Sequence, residues 1–477
     1  MATHFPMPRR TSRRSDIVAL ILILIASLLF LSPLPAAADP PARLLNIGWT
    51  TQDRAIKIVA HLDRPVRVRT NTSGGRLLID LWPVVDPAPR AIAVNTGGVG
   101  IVRQEPLGRG IARLSISLRG ATRYKLFART DPHKLAVVIL PPWQATTPLP
   151  PSVAYQKTRV RTGAGWTQVH AVTVDLEDPQ IELRPVLGSG VVSGHEATGA
   201  AATRHDAIAA INGGFFTKKT GQPLGLVVID GRLLSTPLAR RSVFAITTEG
   251  RPFIQAFTFR GMVETDTGGR VAISAVNRPP RWGGLAVYTP EYGPLTPPHA
   301  LHAVVREGYI VAFPAGRVAI PPDGYVLSAA ASEVRLIRDH LQLNLRVRLD
   351  LAISPGSIVH ALGGGPRLVR NGEISVPFDW EWFGGSFSLR RTSRSAVGIT
   401  KAGKVLLVAV EGGNRRNTGM HLVELARLMR GLGAVHAMNL DGGSSSTLVV
   451  GGQVVNRAER AQRGVASMLV VVRKPAE

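Results

Sequence analysis

A chain of 477 residues can hold two or more domains with cores of their own, and its lack of cysteine excludes disulfides, a thiol nucleophile and a thiolate-held metal. Its 57 basic against 32 acidic residues give a net charge of +25, a balance that favours anionic partners. With aromatic residues at only 5% and no nucleic-acid module in the pattern, an anionic envelope glycan or peptidoglycan suits that charge better than nucleic acid does.

Arg9, Arg10, Arg13 and Arg14 precede an apolar run from Ile17 to Leu31, and Ala36, Ala37 and Ala38 come after it. A charged head, 15 apolar residues and an A-x-A end read as a secretory signal over residues 1–38, cleaved before Asp39. The run is short for a membrane span; retention as an N-terminal anchor is the alternative. Ser12-Arg13-Arg14 hints at twin-arginine export, but Asp16 stands where an apolar residue belongs. The expectation is an exported protein, periplasmic, envelope-associated or secreted, with no membrane span once the signal is gone. Residues 1–38 hold four arginines and one aspartate, so the remainder carries +22.

Residues 43–141 read as all-β. Ile56, Ile58, Ala60 and Leu62 alternate with Lys57, Val59 and His61, and Ala112, Leu114, Ile116 and Leu118 alternate with Arg113, Ser115 and Ser117. Period-two patterns mark half-buried strands, with turns at Gly74-Gly75, Gly97-Gly98 and Gly108 to Gly110. In length, strand rhythm and position the segment resembles an AMIN domain, the small β-sandwich that precedes the enzyme in some periplasmic amidases. That resemblance implies a wall-binding module without catalytic duty; an immunoglobulin-like sandwich is the alternative. Pro141, Pro142, Pro148, Pro150 and Pro151 then mark a semi-rigid linker over 142–157.

From Thr158 to the end the pattern predicts a larger, strand-dominated α+β domain. Val169 to Leu176 and Ile181 to Val186 read as a hairpin, His195 and Glu196 open a small-residue helical segment, and Leu224 to Arg232 and Val243 to Thr247 read as strands. One clear helix is expected over Gly419 to Arg430, with Leu422, Leu425, Ala426 and Met429 on one face, Thr418 as its cap and Gly431 as its stop. It should pack beneath the turn Asn439–Ser446.

Three apolar runs each end in glycines: AIAAINGGFF at 207–216, IVHALGGGPRL at 358–368, and HAMNLDGGSSSTLVV at 436–450. Glycines at strand ends allow close backbone approach, and such loops converging on one end of a sheet commonly build a site. A fourth stretch, RSAVGIT at 394–400, sets Arg394 before another apolar run. Each taken alone also reads as an ordinary turn whose Asn, Asp and Ser side chains cap the backbone.

In that order and spacing, INGGFF, GGGPRLVRNGE, RSAVGIT and NLDGGSSSTLV resemble the phosphodiester glycosidases over about 300 residues; Asn277-Arg278-Pro-Pro and Tyr288 to Gly293 add to the likeness. The resemblance implies a hydrolase that cleaves a sugar-1-phosphodiester bond in envelope or extracellular glycans. The phosphate is already a good leaving group, so such a site needs a carboxylate near the anomeric carbon and a cation on the phosphate rather than a full pair of catalytic acids. The resemblance maps the carboxylate onto Asp441 and the phosphate ligand onto Arg394. Glu411, in Val-Glu-Gly-Gly, is expected as a further catalytic residue, standing where the family tends to carry Asp-Gly-Arg; the acid is kept and the arginine is lost. Asn212, Gly213, Gly214, Gly364, Gly365, Asn439, Gly442, Gly443 and Ser445 are expected to line the substrate, and Asn456 and Arg463 to brace it. His195 is the weaker acid–base candidate, while His360 and His436 sit in apolar runs and should be buried. Oxygen ligands from Asp441, Asn212 and Glu411 would suit Ca2+ or Mg2+, and the lack of H-E-x-x-H spacing argues against zinc. A non-catalytic, polysaccharide-binding protein is the alternative reading.

Overall fold

The computed structural model describes residues 40–474, apart from short stretches at 53–54, 74, 86, 97–98, 119–122, 131–132, 141–148, 281–282, 414–415 and 458–462. The signal expected over 1–38 and residues 142–148 of the proline-rich joint therefore lie outside the described residues. Among the described residues no helix is long and apolar enough to cross a membrane.

The N-terminal part is the expected β-sandwich. A four-stranded antiparallel sheet (Leu44–Gln52, Ala55–Leu62, His133–Leu140, Arg123–Thr130) faces a five-stranded one (Arg67–Ser73, Arg76–Trp82, Ile111–Leu118, Val99–Gly108, Arg90–Thr96). The alternation seen in the sequence explains it: Ile56, Ile58, Ala112, Leu114 and Ile116 point into one shared core, while Lys57 is exposed and Arg113 and Ser117 are half-buried.

The sandwich is packed onto the larger C-terminal part as well as joined to it by the chain. Tyr124 donates its hydroxyl to Glu196, which is fully buried and also accepts from Arg204 Nη2 at 2.7 Å and from Ser189 N at 3.2 Å. Trp82 and Ile111 pack against Val191. A buried carboxylate is tolerated only with such partners, so Glu196 ties the two parts together. The first strand of the larger part, Val153–Thr162, already begins inside the stretch assigned to the linker.

The larger part is strand-rich with few helices, as expected. Its site is carried by two sheets. One has seven strands in the order Val153–Thr162, Gly165–Val174, Val405–Val410, Arg394–Thr400, Ala434–Asn439, Arg367–Arg370, Glu373–Ile374. The other has five, in the order Ile181–Leu187, Ser467–Arg473, Ala209–Asn212, Leu448–Val450, Gln453–Val454. Val172, Val397 and Leu407 of the first share one core with Leu183, Ile211 and Leu469 of the second. The expected hairpin is thus corrected: Gly165–Val174 pairs with Val153–Thr162 and Val405–Val410, while Ile181–Leu187 pairs with Ser467–Arg473. Both runs are apolar enough to be buried, and each finds its partner in a different sheet.

The expected helix runs over Leu422–Gly431. Its cap is His421, whose Nδ1 accepts from Glu424 N while the Glu424 side chain accepts from His421 N. Thr418 cannot cap it, because Gly419 at φ +70° lies in the left-handed region. The buried stripe Leu422, Leu425, Ala426 and Met429 packs with Leu368, Ala396 and Ala437, which sets the height of the strand that delivers Asn439.

Candidate functional site

The strand Ala209–Asn212 ends beside the strand Ala434–Asn439, and three groups lock the ends together. Asn212 is fully buried; its Nδ2 donates to Asp441 O at 2.7 Å, and its Oδ1 accepts from Ser395 Oγ at 2.7 Å and Thr447 N at 3.0 Å. Gly443 N donates to Ser393 O, and Leu440 N to Ser395 O, each at 2.8 Å. Asn456 Oδ1 accepts from Leu448 N at 2.6 Å and its Nδ2 donates to Ser446 O at 3.0 Å, the bracing role expected of it. The turn that carries Asp441 is therefore held rigidly from beneath.

Asp441 lies at the junction of two openings. A cavity of about 270 Å³ is lined by Lys218, Arg390, Arg394, Asp441, Gly442, Gly443 and Arg463, with Thr392, Phe387 and Ser444. A neighbouring space of about 370 Å³ shares Lys218, Phe387, Asp441 and Arg463 and adds Phe215, Phe216, Leu224, Arg241, Trp382 and Phe383. The first is rich in cations and the second in aromatic rings. Phe383 stands 5.3 Å from Phe215 and 5.1 Å from Phe387 between ring centres, and Arg241 lies 4.1 Å over Phe383.

Burial pushes the Asp441 carboxyl above its ordinary range, and the nearby Ser445 hydroxyl, the Gly442 N–H at 3.0 Å and the charges of Arg463 and Lys218 only partly offset it. Ser445 Oγ is buried without a well-formed hydrogen bond, so it is near the acid rather than firmly bonded to it. Withheld hydration strengthens the pull of the ionised acid on any positive centre beside it.

The other expected residues divide. Arg394 does line the cation-rich cavity with Asp441. Its guanidinium, however, is buried and donates to Met420 O at 3.0 Å, Phe387 O at 3.2 Å and Arg390 O at 2.6 Å. Its Nε and Nη2 donors thus serve the cavity wall, taken by carbonyls that would otherwise be orphaned. Asn212 and Asn439 are likewise braces rather than substrate ligands; Asn439 is fully buried and donates to Gly365 O at 2.9 Å. A Cβ on Gly214 would overlap Gly363 O, one on Gly213 would come within 2.7 Å of Ser467 O, and one on Gly364 within 2.7 Å of Asn439 O. Gly365, at φ +107°, sits against Glu381 and Phe383. These four glycines let chain pack on chain instead of letting substrate approach. Gly442 and Gly443 do line the cavity.

Glu411 is the clearest correction. It lines a separate cavity of about 660 Å³ with Lys157, Gln168, Arg416, Asn417, Val455 and Arg457. Its carboxylate accepts from Arg457 N at 2.9 Å, Asn417 Nδ2 at 2.8 Å and His170 Nε2 at 3.2 Å. His170, fully buried and kept neutral by that burial, accepts at Nδ1 from Tyr155 OH at 2.8 Å, which leaves its proton on Nε2 for Glu411. Hence Asp441, Asn212 and Glu411 are not assembled as an ion cage. Another trio, Glu182, Asp230 and His360, brings its ligand atoms within 4.8 Å of one another. Yet Asp230 N donates to His360 Nδ1 at 3.3 Å, so the ring proton sits on Nε2, which faces Glu182 at 3.2 Å. A metal-binding Nε2 needs the opposite arrangement.

His195 packs against Gly464 and does not line the Asp441 cavities. His360 is buried as expected, while His436 is only half-buried. Sequence reasoning missed Lys218, Arg390, Arg241 and the aromatic wall. A signal was present: Phe378, Trp380, Trp382, Phe383 and Phe387 crowd ten residues of a chain that is 5% aromatic. That segment is anchored by Glu381, buried, which accepts from Ser242 N at 2.8 Å, Ser242 Oγ at 2.9 Å and Arg367 N at 2.9 Å. Trp382 holds φ +59°, a costly conformation for a bulky residue that is retained where the surroundings fix it.

Residues 299–472 match the family model for phosphodiester glycosidase. The N-acetylglucosamine-1-phosphodiester α-N-acetylglucosaminidase of Mus musculus is 34% identical over 107 residues, 20% of each protein, so the chain spans about a fifth of the length of that curated relative. Among solved structures, a hypothetical protein from Synechocystis superposes with a TM-score of 0.63 at 23% identity, over 91% of this chain and 81% of its own. A protein from Burkholderia pseudomallei K96243, named as an exported protein, gives 0.57 at 20% identity, over 90% and 96%. These two share the fold. The resemblance read from the motifs is borne out for GGGPRLVRNGE, RSAVGIT and NLDGGSSSTLV, which lie within the matched residues.

Proposed function

We propose that this chain, which carries the phosphodiester glycosidase match over residues 299–472, hydrolyses a sugar-1-phosphodiester bond with Asp441 as its central acid. The observation that carries the reading is the place of Asp441 between a cation-rich cavity and an aromatic one. Lys218, Arg390 and Arg463 suit an anionic phosphodiester, and the Phe215, Trp382 and Phe383 wall suits the apolar face of a sugar ring. As the bond to the anomeric carbon breaks, positive charge grows on that carbon and negative charge on the departing phosphate; water adds to the carbon and gives its proton to solvent, leaving free sugar and the phosphomonoester. An ionised Asp441 stabilises the first and the three cations the second. The phosphate leaves without needing a strong proton donor, in keeping with Asp441 as the one acid lining the two cavities among the described residues.

Export is part of the proposal, motivated by the pattern of residues 1–38, and so is a glycan of the cell envelope as the source of substrate, motivated by the charge of +25. The N-terminal sandwich would then serve as an AMIN-like wall anchor. The test is release of free sugar from a UDP-sugar or a synthetic sugar-1-phosphodiester. Turnover by the wild-type protein that is lost in Asp441→Asn supports the proposal; no turnover of any phosphodiester, with retained binding to wall polysaccharide, would favour a binding protein instead.

A further inference from the structure

The cavity beside Glu411 is not used by this chemistry, and its construction is too specific for an incidental cleft. One buried carboxylate, Glu411, holds the Arg457 backbone at 2.9 Å and the Asn417 side chain at 2.8 Å, while Asn417 Oδ1 in turn accepts from Gln168 N at 2.9 Å. Its remaining donor, His170, is itself fixed by Tyr155. The hub thereby fixes the chain around an opening whose rim carries three exposed cations, Lys157, Arg416 and Arg457. Among the described residues the lining holds these three cations against the single carboxylate of Glu411, which already accepts three hydrogen bonds.

We propose that this cavity is a second anion-binding site, which takes a phosphate group of a polyanionic glycan at a point removed from the reacting bond. Its volume, about 660 Å³, exceeds what one phosphate fills and leaves room for the sugar that bears it. Among the described residues no aromatic ring lines it, so a nucleobase would find no stacking platform there, which favours a phospho-glycan over nucleic acid. The walls of the two cavities meet in the backbone: Thr392 lines the first, Glu411 the second, and a Cβ on Gly412 would come within 2.6 Å of Ser393 N. A chain with repeating phosphates that reached both would gain affinity at the second contact by effective concentration. The identity of the ligand as a glycan rests on the proposed hydrolase function; the anion site itself does not.

The experiment compares the full chain with a Lys157→Ala/Arg416→Ala/Arg457→Ala variant. Calorimetry measures binding of poly(glycerol phosphate) and of an oligothymidylate of equal charge, and a sugar-release assay on a small UDP-sugar runs in parallel. The expected result is a tenfold or greater loss of poly(glycerol phosphate) affinity with a shallower salt dependence, while melting temperature and small-substrate turnover stay unchanged. Unchanged affinity in the variant, or preferential loss of oligothymidylate binding, would overturn the proposal. If the wild-type chain releases no sugar, the proposed function fails, and the binding comparison still decides the second site by itself.

Discussion

Asp441-Gly442-Gly443 and Glu411-Gly412-Gly413 are the same pattern, an acid followed by two glycines just beyond an apolar strand, yet the fold surrounds them in opposite ways. Glu411 is surrounded by donors from His170, Asn417 and Arg457 and organises the chain about it. Asp441 is offered one backbone N–H at 3.0 Å, is pushed up by burial, and faces two open spaces. An acid satisfied by its own fold is a structural hub. An acid left short of donors at a cavity mouth is available for chemistry.

The sharpest break between the two acids is expected from Asp441→Asn. Sugar release should fall by roughly a thousandfold, the scale of a lost electrostatic contact to the transition state. The same substitution should leave the melting temperature unchanged or higher at neutral pH. The folded-state pKa of Asp441 is raised, so its ionised form weakens the fold above that pKa, and the amide removes this cost. Calorimetric melting beside the activity assay checks both halves.

Glu411→Ala should do the reverse. It strands buried His170 Nε2, Asn417 Nδ2 and Arg457 N, at a combined cost of about 3 kcal/mol in denaturant unfolding, with turnover per folded molecule within a few-fold of wild type. A comparable loss, again about 3 kcal/mol, is expected for Gly214→Ala, where the new Cβ overlaps Gly363 O. Arg463→Ala should lower kcat/KM by about thirtyfold, because it removes one charged partner of the phosphate. Phe383→Ala should act mainly on KM, by about tenfold, as expected for a lost stacking face.

The sequence made the strand rhythm of both parts legible, because alternation and apolar runs report burial directly; Ile56 to Leu62 and Leu406 to Val410 are examples. Partner choice was not legible: Gly165–Val174 and Ile181–Leu187 adjoin in the chain but join different sheets, and only long-range packing decides that. The motifs pointed to Asp441, Gly442, Gly443, Arg394 and Arg463, which line one cavity. They did not show that Asn212 and Asn439 are spent on bracing, since a buried polar group that braces a turn and one that binds substrate have the same letters. What separates them is where the donors point. The cations Lys218 and Arg390 stand among 57 basic residues and carry no local pattern of their own. The aromatic wall was visible only as a local excess of Phe and Trp, and its facing Phe215 comes from a loop far away in the chain.

The most direct test of the contrast is the acidic limb of the pH dependence of kcat/KM on a sugar-1-phosphodiester. Activity that needs ionised Asp441 should fall as pH drops through a value above the ordinary aspartate range of about 4. The limb should keep its place in Glu411→Gln. It should move to higher pH in Arg463→Ala, which removes a charge that lowers the Asp441 pKa. A limb that disappears with Glu411→Gln, or that stays in place in an active Asp441→Asn protein, would contradict the account.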